Sequence, residues 1–311
     1  MHNVLLGVFK TMMKIWIEGR DHAYKFSTEQ KAEVNRRLKW IKPQLCSDFQ
    51  RKPRTIEEFS RFKATEFRQL LLYTGPLIFK NVMDEPFYGH FLKLSVAIRI
   101  LCHPVLYIAN NDVASNLLEA FAIEFIQLYG VSYFVHNFHV ITHLAKDALD
   151  HGPLDDFSAF PFESYLQQML KSIKDAPNPL LQFKNRLGEQ MKYSSTKTAT
   201  VSKKRAKHSV VTERHVTITD FGNDCYVHFE RKVLMVKEIR QNTNELVCAE
   251  VKDLIHFFTE PLQSKGIGMY CSDKRVISED RYIVPANMAL KIQALELDSL
   301  FTYTLILHSD F

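Results

Sequence analysis

The sequence predicts an α+β protein, with a largely helical N-terminal part followed by a small all-β barrel or sandwich. Up to about residue 191 the apolar residues recur at helical spacing. From about residue 210 they fall in short alternating runs rich in β-branched and aromatic side chains. Residues 192–209 between them are rich in Lys and Arg and almost lack large apolar residues. We therefore predict a helical domain at 1–191, a basic flexible linker at 192–209 and a β-rich domain at 210–311.

The helices of the first 130 residues are bounded by local signals. Ser27 is a capping residue for a helix that ends before Pro43. Thr55, with Glu58 three positions later, has the pattern of a capping box, and Gly130 is a stop signal. The predicted helices span about 3–18, 28–41, 55–73, 87–101 and 112–129.

The stretch from residue 136 to residue 173 is predicted as a helix, a turn and a second helix. His139 and His143 are four residues apart, so they lie on one face of the first helix. Gly152 ends that helix. Pro161 is tolerated in the first turn of the next helix and places Glu163 near its N-terminus.

The C-terminal third is predicted to contain strands separated by tight turns. Gly, Asn and Gln cluster between the alternating runs, as is typical of such turns. The predicted strands are VVTERHVTIT, CYVHFER, VLMVKEIR, ELVCAEV, YIVPANMALKIQ and FTYTLILH.

Composition excludes several classes of protein. Lys and Arg exceed Asp and Glu by five, a mildly basic balance that permits nucleic-acid binding without requiring it. Five scattered cysteines without a C-x-x-C pair favour reduced thiols in an intracellular protein, nuclear or cytoplasmic. No clean apolar stretch is long enough to span a membrane, and no nucleophile motif or Gly-rich phosphate loop is present.

Three segments, in the same order along the chain, resemble the CACTA/EnSpm transposases of invertebrate genomes. They are MHNVLLGVFKTMMKIWIEG at the start, PRTIEEFSRFKATEFRQLLLYTGP at 53–76 and NFHVITHLAKDALDHGPLDDFSAFPFES at 137–164. The resemblance implies an RNase H-like core with two aspartates and one glutamate, and a helical insertion before the glutamate. The helical part of this chain would then be that insertion and the C-terminal piece of the core.

The resemblance identifies Glu163 with the catalytic glutamate and His2 with the histidine of an Asp-x-x-His motif. The two aspartates would precede Met1, so the chain carries one of three catalytic carboxylates. We expect Met1 to be an internal methionine, with the missing aspartate encoded upstream and Phe162, Leu166 and Leu170 left without a partner. The complete family enzyme uses Mg²⁺ or Mn²⁺, and Glu163 alone is too few ligands to hold either. The alternative is that Glu163 only stabilises a helix N-terminus.

The resemblance also suggests a structural zinc site, because related recombinases bind zinc with two cysteines and a histidine pair that precedes the glutamate. His139 and His143 have the spacing of such a pair, and His136 or His2 could join them. The missing thiolates make zinc a weak expectation, and the alternative is a pair of hydrogen-bonded histidines.

Lys203, Lys204, Arg205 and Lys207 form the densest basic run of the chain. Exposed cations of this kind contact phosphates or direct nuclear import, but they also occur in solvated linkers.

We therefore expect a transposase-derived protein that is truncated, lacks a complete catalytic site, and binds DNA or another protein. Partners would be DNA without sequence specificity, a second copy, or a full-length transposase. The alternatives are a fragment of an active metal-dependent DDE transposase and a remnant with no selected function.

Overall fold

A computed structural model describes residues 1–174, 178–196, 209–212 and 216–307 and confirms the α+β class. Helices occupy the chain up to Thr196, and strands begin at Ser209. A π-helical stretch, Asn3–Phe9, leads directly into the first α-helix. The α-helices before the first strand are α1 Lys10–Glu18, α2 Thr28–Ile41, α3 Ala64–Gln69, α4 Gly75–Phe79, α5 Glu85–Cys102, α6 Leu106–Ala109, α7 Asn111–Tyr129, α8 His136–Val140, α9 Leu144–His151, α10 Phe160–Ser172 and α11 Pro179–Thr196. The last helix extends into the range predicted as a linker, and residues 197–208 of that range lie outside the described residues.

The described strands form a hairpin and an eight-stranded antiparallel sheet curled into a half-barrel. The hairpin pairs β1 Ser209–Val211 with β2 Thr217–Thr219. The sheet contains β3 Tyr226–Phe229, β4 Lys232–Arg240, β5 Glu245–Val251, β6 Ile255–His256, β7 Met269–Ser272, β8 Ile277–Pro285, β9 Leu290–Leu297 and β10 Leu300–Leu305. Their order across the sheet is β6-β7-β10-β9-β3-β4-β5-β8.

Two of the predicted helix ends are confirmed in atomic detail. The Ser27 hydroxyl accepts a hydrogen bond from the backbone N–H of Gln30, and the Gln30 side chain accepts one from the Ser27 N–H, which completes a capping box. Gly130 ends α7 with φ of 90°, a backbone conformation that favours glycine.

The prediction of one helix over 55–73 is wrong. A 3-10 helix, Ile56–Arg61, is followed by a break and then by α3. The Glu66 carboxylate accepts a hydrogen bond from the Lys63 N–H and forms an ion pair with Arg54. This acid caps a new helix start at Lys63, so the capping pattern at Thr55 does not extend into a long helix.

The sheet contains more strands than the sequence predicts. β6 and β7 were not predicted, and the run YIVPANMALKIQ is divided between β8 and β9 by the turn after Pro285. The run VVTERHVTIT likewise contains both β1 and β2. These short strands are defined by their pairing with neighbours rather than by a long alternating pattern.

The described chain contains two compact units. The first unit comprises α1–α9 and β1–β10, and the second unit comprises α10 and α11. This grouping differs from the predicted boundaries at 191 and 209, because helices and sheet share polar contacts. Buried Arg99 of α5 donates hydrogen bonds to the carbonyls of Ile267 (2.8 Å) and Leu305 (2.5 Å).

Two of the expectations from the sequence concern the reduced cysteines and the absence of a membrane-spanning helix. All five cysteines lie in the described residues as free, buried thiols. None of the helices in the described ranges combines the length and apolar character needed to cross a membrane.

Candidate functional site

Glu163 lies in the first turn of α10, close to the predicted position. Pro161 occupies the helix start, where its missing N–H costs no hydrogen bond. Phe162, Leu166 and Leu170 of the same helix are 71%, 55% and 69% exposed. α10 thus presents both the carboxylate and an uncovered apolar face.

His139 and His143 lie together on the surface of the first unit. Their Nε2 atoms are 3.4 Å apart, and the rings are nearly perpendicular. Two nitrogens bound to one tetrahedral zinc lie about 3.3 Å apart, so the pair fits two of its four positions. Within the described part of this unit, neither His2 nor another potential ligand joins them within 4.8 Å. The pair offers two of the four ligands that a structural zinc site needs, and its Nε2–Nε2 contact also fits the hydrogen-bonded pair of the alternative expectation.

The basic run Lys203, Lys204, Arg205 and Lys207 lies outside the described residues.

Cys46, Asp48 and Asp224 form the one group of three potential metal ligands among the described residues. The ammonium of Lys291 already occupies it. Lys291 Nζ donates hydrogen bonds to Asp48, to Asp224 at 2.5 Å and to the carbonyl of Thr217 at 2.6 Å. These bonds use all three ammonium protons, so the group holds a lysine where a metal ion would otherwise lie.

The electrostatics of this cluster favour the charged lysine. Burial alone would disfavour the ammonium, but the charges and hydrogen bonds of Asp48 and Asp224 outweigh it and raise the pKa of Lys291. Burial also opposes ionisation of Asp224, yet the hydrogen bond from Lys291 lowers the pKa of this carboxyl. Burial raises the pKa of Cys46 to about 12, so it remains a thiol. The cluster is a structural ion-pair site between the loop after α2 and strand β9.

Asp155, in the loop after α9, is also held by a cation. The guanidinium of Arg68 donates two parallel hydrogen bonds to its carboxylate, at 2.7 and 2.8 Å. The Arg68 side chain is only 5% exposed. A bidentate pair of this kind fixes the carboxylate and neutralises its charge.

A cleft of about 360 Å³ lies beside this pair, between the end of α5 and the sheet. Its polar lining includes His103 and Asp156, and most of its walls are aliphatic. His103 Nδ1 accepts hydrogen bonds from the N–H groups of Val105 and Leu106, so its proton resides on Nε2. Burial lowers the pKa of His103 to about 4, which keeps the ring neutral at pH 7.

The cleft lacks the groups for nucleophilic catalysis in its described lining. Burial raises the pKa of Cys102 to about 12, and a thiol of that kind is a poor nucleophile. His103 uses its basic nitrogen in the two backbone hydrogen bonds. The cleft can therefore accept a small group by shape and hydrogen bonding.

The sequence offered little sign of these buried ion pairs. Lys291 interrupts an apolar strand, and this lysine at an inward position was the one available signal. Asp48 lies 243 residues earlier, so no local pattern connects the two.

Comparison with known proteins gives no match to this chain among family models, curated proteins or solved structures. The resemblance to transposases therefore rests on the three sequence segments alone.

Proposed function

We propose that this chain is a transposase-derived, DNA-binding protein that does not cut or join DNA. The observation that carries the proposal is the set of three family-like segments, in order, with Glu163 as the one matching catalytic carboxylate. The binding partner is DNA without sequence specificity, contacted by Lys203, Lys204, Arg205 and Lys207. A nuclear location follows from this proposal.

The chemistry of strand transfer requires two divalent ions held by several carboxylates. Asp48 and Asp224 are bound to Lys291, and Asp155 is bound to Arg68. Recruiting any of them to a metal would break a buried ion pair, which costs several kcal/mol. This supports a protein in which catalysis is lost.

Purified residues 1–311 should neither nick nor join DNA with Mg²⁺ or Mn²⁺. The physical reason is that Glu163 supplies one carboxylate where the reaction needs three. The measurement is a supercoiled-plasmid nicking assay, with Glu163→Gln as the matched variant. Metal-dependent nicking that the variant abolishes would instead support the alternative, a fragment of an active DDE transposase.

DNA binding should weaken steeply with salt, because phosphate contacts release counterions. Replacing Lys203, Lys204, Arg205 and Lys207 by alanine should reduce the slope of log K against log[salt] by roughly three to four, at about 0.9 per lost contact. Fluorescence anisotropy of labelled duplex DNA over a salt series gives this slope.

A control variant loses the same charge from four sites that are exposed in the described structure: Lys146, Lys171, Arg231 and Lys237. This variant should keep the wild-type slope. Equal losses in the two variants would mean that binding follows net charge rather than the basic run.

A further inference from the structure

Helix α10 (Phe160–Ser172) has a ridge of large apolar side chains on one side. Phe162, Leu166 and Leu170 recur every four residues, so they form one continuous row along the helix. Each of the three is more than half exposed in the described structure. The opposite side of the helix is polar and carries Gln168. An amphipathic helix with an uncovered apolar row of this kind is a contact surface.

Two opposite charges flank this ridge, one near each end. Glu163 directly follows the first residue of the ridge, and Lys171 directly follows the last, so both charges lie on the same side of the ridge, two turns apart. Both side chains are exposed. Turning the helix end for end exchanges the positions of the acid and the base. The ridge and its flank are therefore complementary to a second, reversed copy of the same surface.

We propose that α10 pairs antiparallel with α10 of a second copy of this chain, about a two-fold axis that passes beside Leu166. In this arrangement Leu166 contacts its own counterpart, and Phe162 of each copy contacts Leu170 of the other. An antiparallel two-fold pair places the same side of both helices together, so Glu163 of each copy lies opposite Lys171 of the other. A parallel pair lacks these contacts, because it puts opposite sides of the two helices together. Rows with a spacing of four residues pack against each other in the commonest class of helix contact.

The size of this contact sets the strength of the dimer. A helix of thirteen residues is about 20 Å long, and two such helices in contact bury on the order of 800–1,000 Å² in total. That area is at the low end for a specific interface, so the dimer is weak and forms between about 10 and 500 µM protein. At low-micromolar protein most chains are monomers with α10 uncovered.

Sedimentation equilibrium without DNA, over a concentration range of about 5–500 µM protein, tests the dimer. Wild-type protein should show a reversible monomer–dimer equilibrium. Leu166→Glu places two like charges at the two-fold axis and should weaken dimerisation at least about tenfold. Gln168→Glu adds the same charge on the polar side of the same helix and should dimerise like wild type. Wild-type protein that stays monomeric at the highest concentration would overturn the proposal, and so would equal effects of the two variants.

Exchanging the flanking charges tests the antiparallel pairing. Glu163→Lys and Lys171→Glu each turn both attractive contacts of the dimer into repulsive ones, so each variant alone should dimerise roughly 2- to 30-fold more weakly at low salt. An equimolar mixture of the two should recover dimerisation, because every contact between unlike copies again joins an acid to a base. A loss of helix stability in either variant persists in the mixture, so recovery reports the contact between copies. Single variants that dimerise like wild type, or a mixture no better than its components, would contradict the pairing.

The dimer does not rest on the proposed DNA binding, because it is measured without DNA. Wild-type protein that binds DNA but stays monomeric would overturn the antiparallel pair and leave the proposed function standing. Dimerisation that Leu166→Glu disrupts, in a chain that does not bind DNA, would support the pair and overturn the proposed function. Thermal melts followed by circular dichroism confirm that each variant is folded.

Discussion

His90 shows how burial fixes the protonation state of a single residue. Its ring lies between α5 and α7, stacked on Phe121 at 4.2 Å between ring centres, and its Nε2–H donates to the Phe121 carbonyl. Nδ1 has no hydrogen-bond partner in the described structure and is buried. Protonating Nδ1 would create an unpaired buried charge next to Lys93. Burial accordingly lowers the pKa of His90 to about 4.

This shift makes stability depend on pH in a defined window. The unfolded chain binds a proton below pH 6.5, whereas the folded chain excludes it down to about pH 4. The free energy of unfolding therefore carries no penalty from His90 above pH 6.5. It decreases as the pH falls from 6.5 toward 4, by ~1.4 kcal/mol per pH unit, because the unfolded chain takes up a proton that the folded chain excludes. Urea unfolding of wild type and His90→Gln between pH 7.5 and 4.5 measures it. The variant should show the shallower pH dependence, and parallel curves would contradict the argument.

At the scale of elements, the sheet has a core of its own. The buried cluster at its centre contains only residues from position 210 onward, among them Val227, Leu234, Leu246, Val284 and Ile292. Polar ties to the helices include Lys291 with Asp48 and Arg99 with two carbonyls, and buried Phe257, Ile267 and Met269 lie outside this cluster. The apolar packing of the cluster itself therefore does not require residues of the helical part.

Residues 210–311 expressed alone should unfold cooperatively, with lower stability than in the full chain. The reason is that the apolar core is retained while Asp48 and Arg99 are lost. Circular dichroism during urea unfolding measures the transition. A dye-binding product without a transition would show that the sheet depends on the helices.

The substitution Lys291→Met, made both in the full chain and in residues 210–311, measures how much the ion pair with Asp48 contributes. In the full chain it leaves Asp48 and Asp224 without their cation and should cost about 3–5 kcal/mol. In the isolated segment only Asp224 is affected, so the cost should be smaller. Equal costs would mean that Asp48 contributes nothing to the pairing.

Local signals account for the elements that the sequence predicts well. The capping residues Ser27 and Gly130 act on backbone groups within a few positions, so both helix ends can be predicted from the local sequence. β7, by contrast, pairs with β10 about thirty residues later, and Lys291 meets Asp48 across most of the chain. Such features depend on the folded arrangement of the whole chain. The histidine pair was predictable because i and i+4 positions adjoin on an α-helix. The predicted helix is interrupted by a 3-10 turn, Ile141–His143, which still keeps the two rings together.

At the scale of the whole molecule, the two compact units differ in how they are stabilised. α5 buries thirteen of its eighteen residues within the first unit. α10, which is described over its whole length, buries none of its thirteen. Helix propensity alone rarely stabilises an isolated helix of this length, because most helical stability comes from packing of an apolar face.

Hydrogen exchange should therefore distinguish the two helices in the full chain. Amides of α10 should exchange much faster than those of α5, since opening α10 disrupts few buried contacts. Exchange followed by mass spectrometry on peptides covering 160–172 and 85–102 makes the comparison within one sample. Comparable protection of both peptides would contradict it and would require that the exposed face of Phe162, Leu166 and Leu170 be covered in solution. A tenfold dilution then separates the sources of that cover: protection that falls on dilution comes from a second copy, and protection that persists comes from the chain itself.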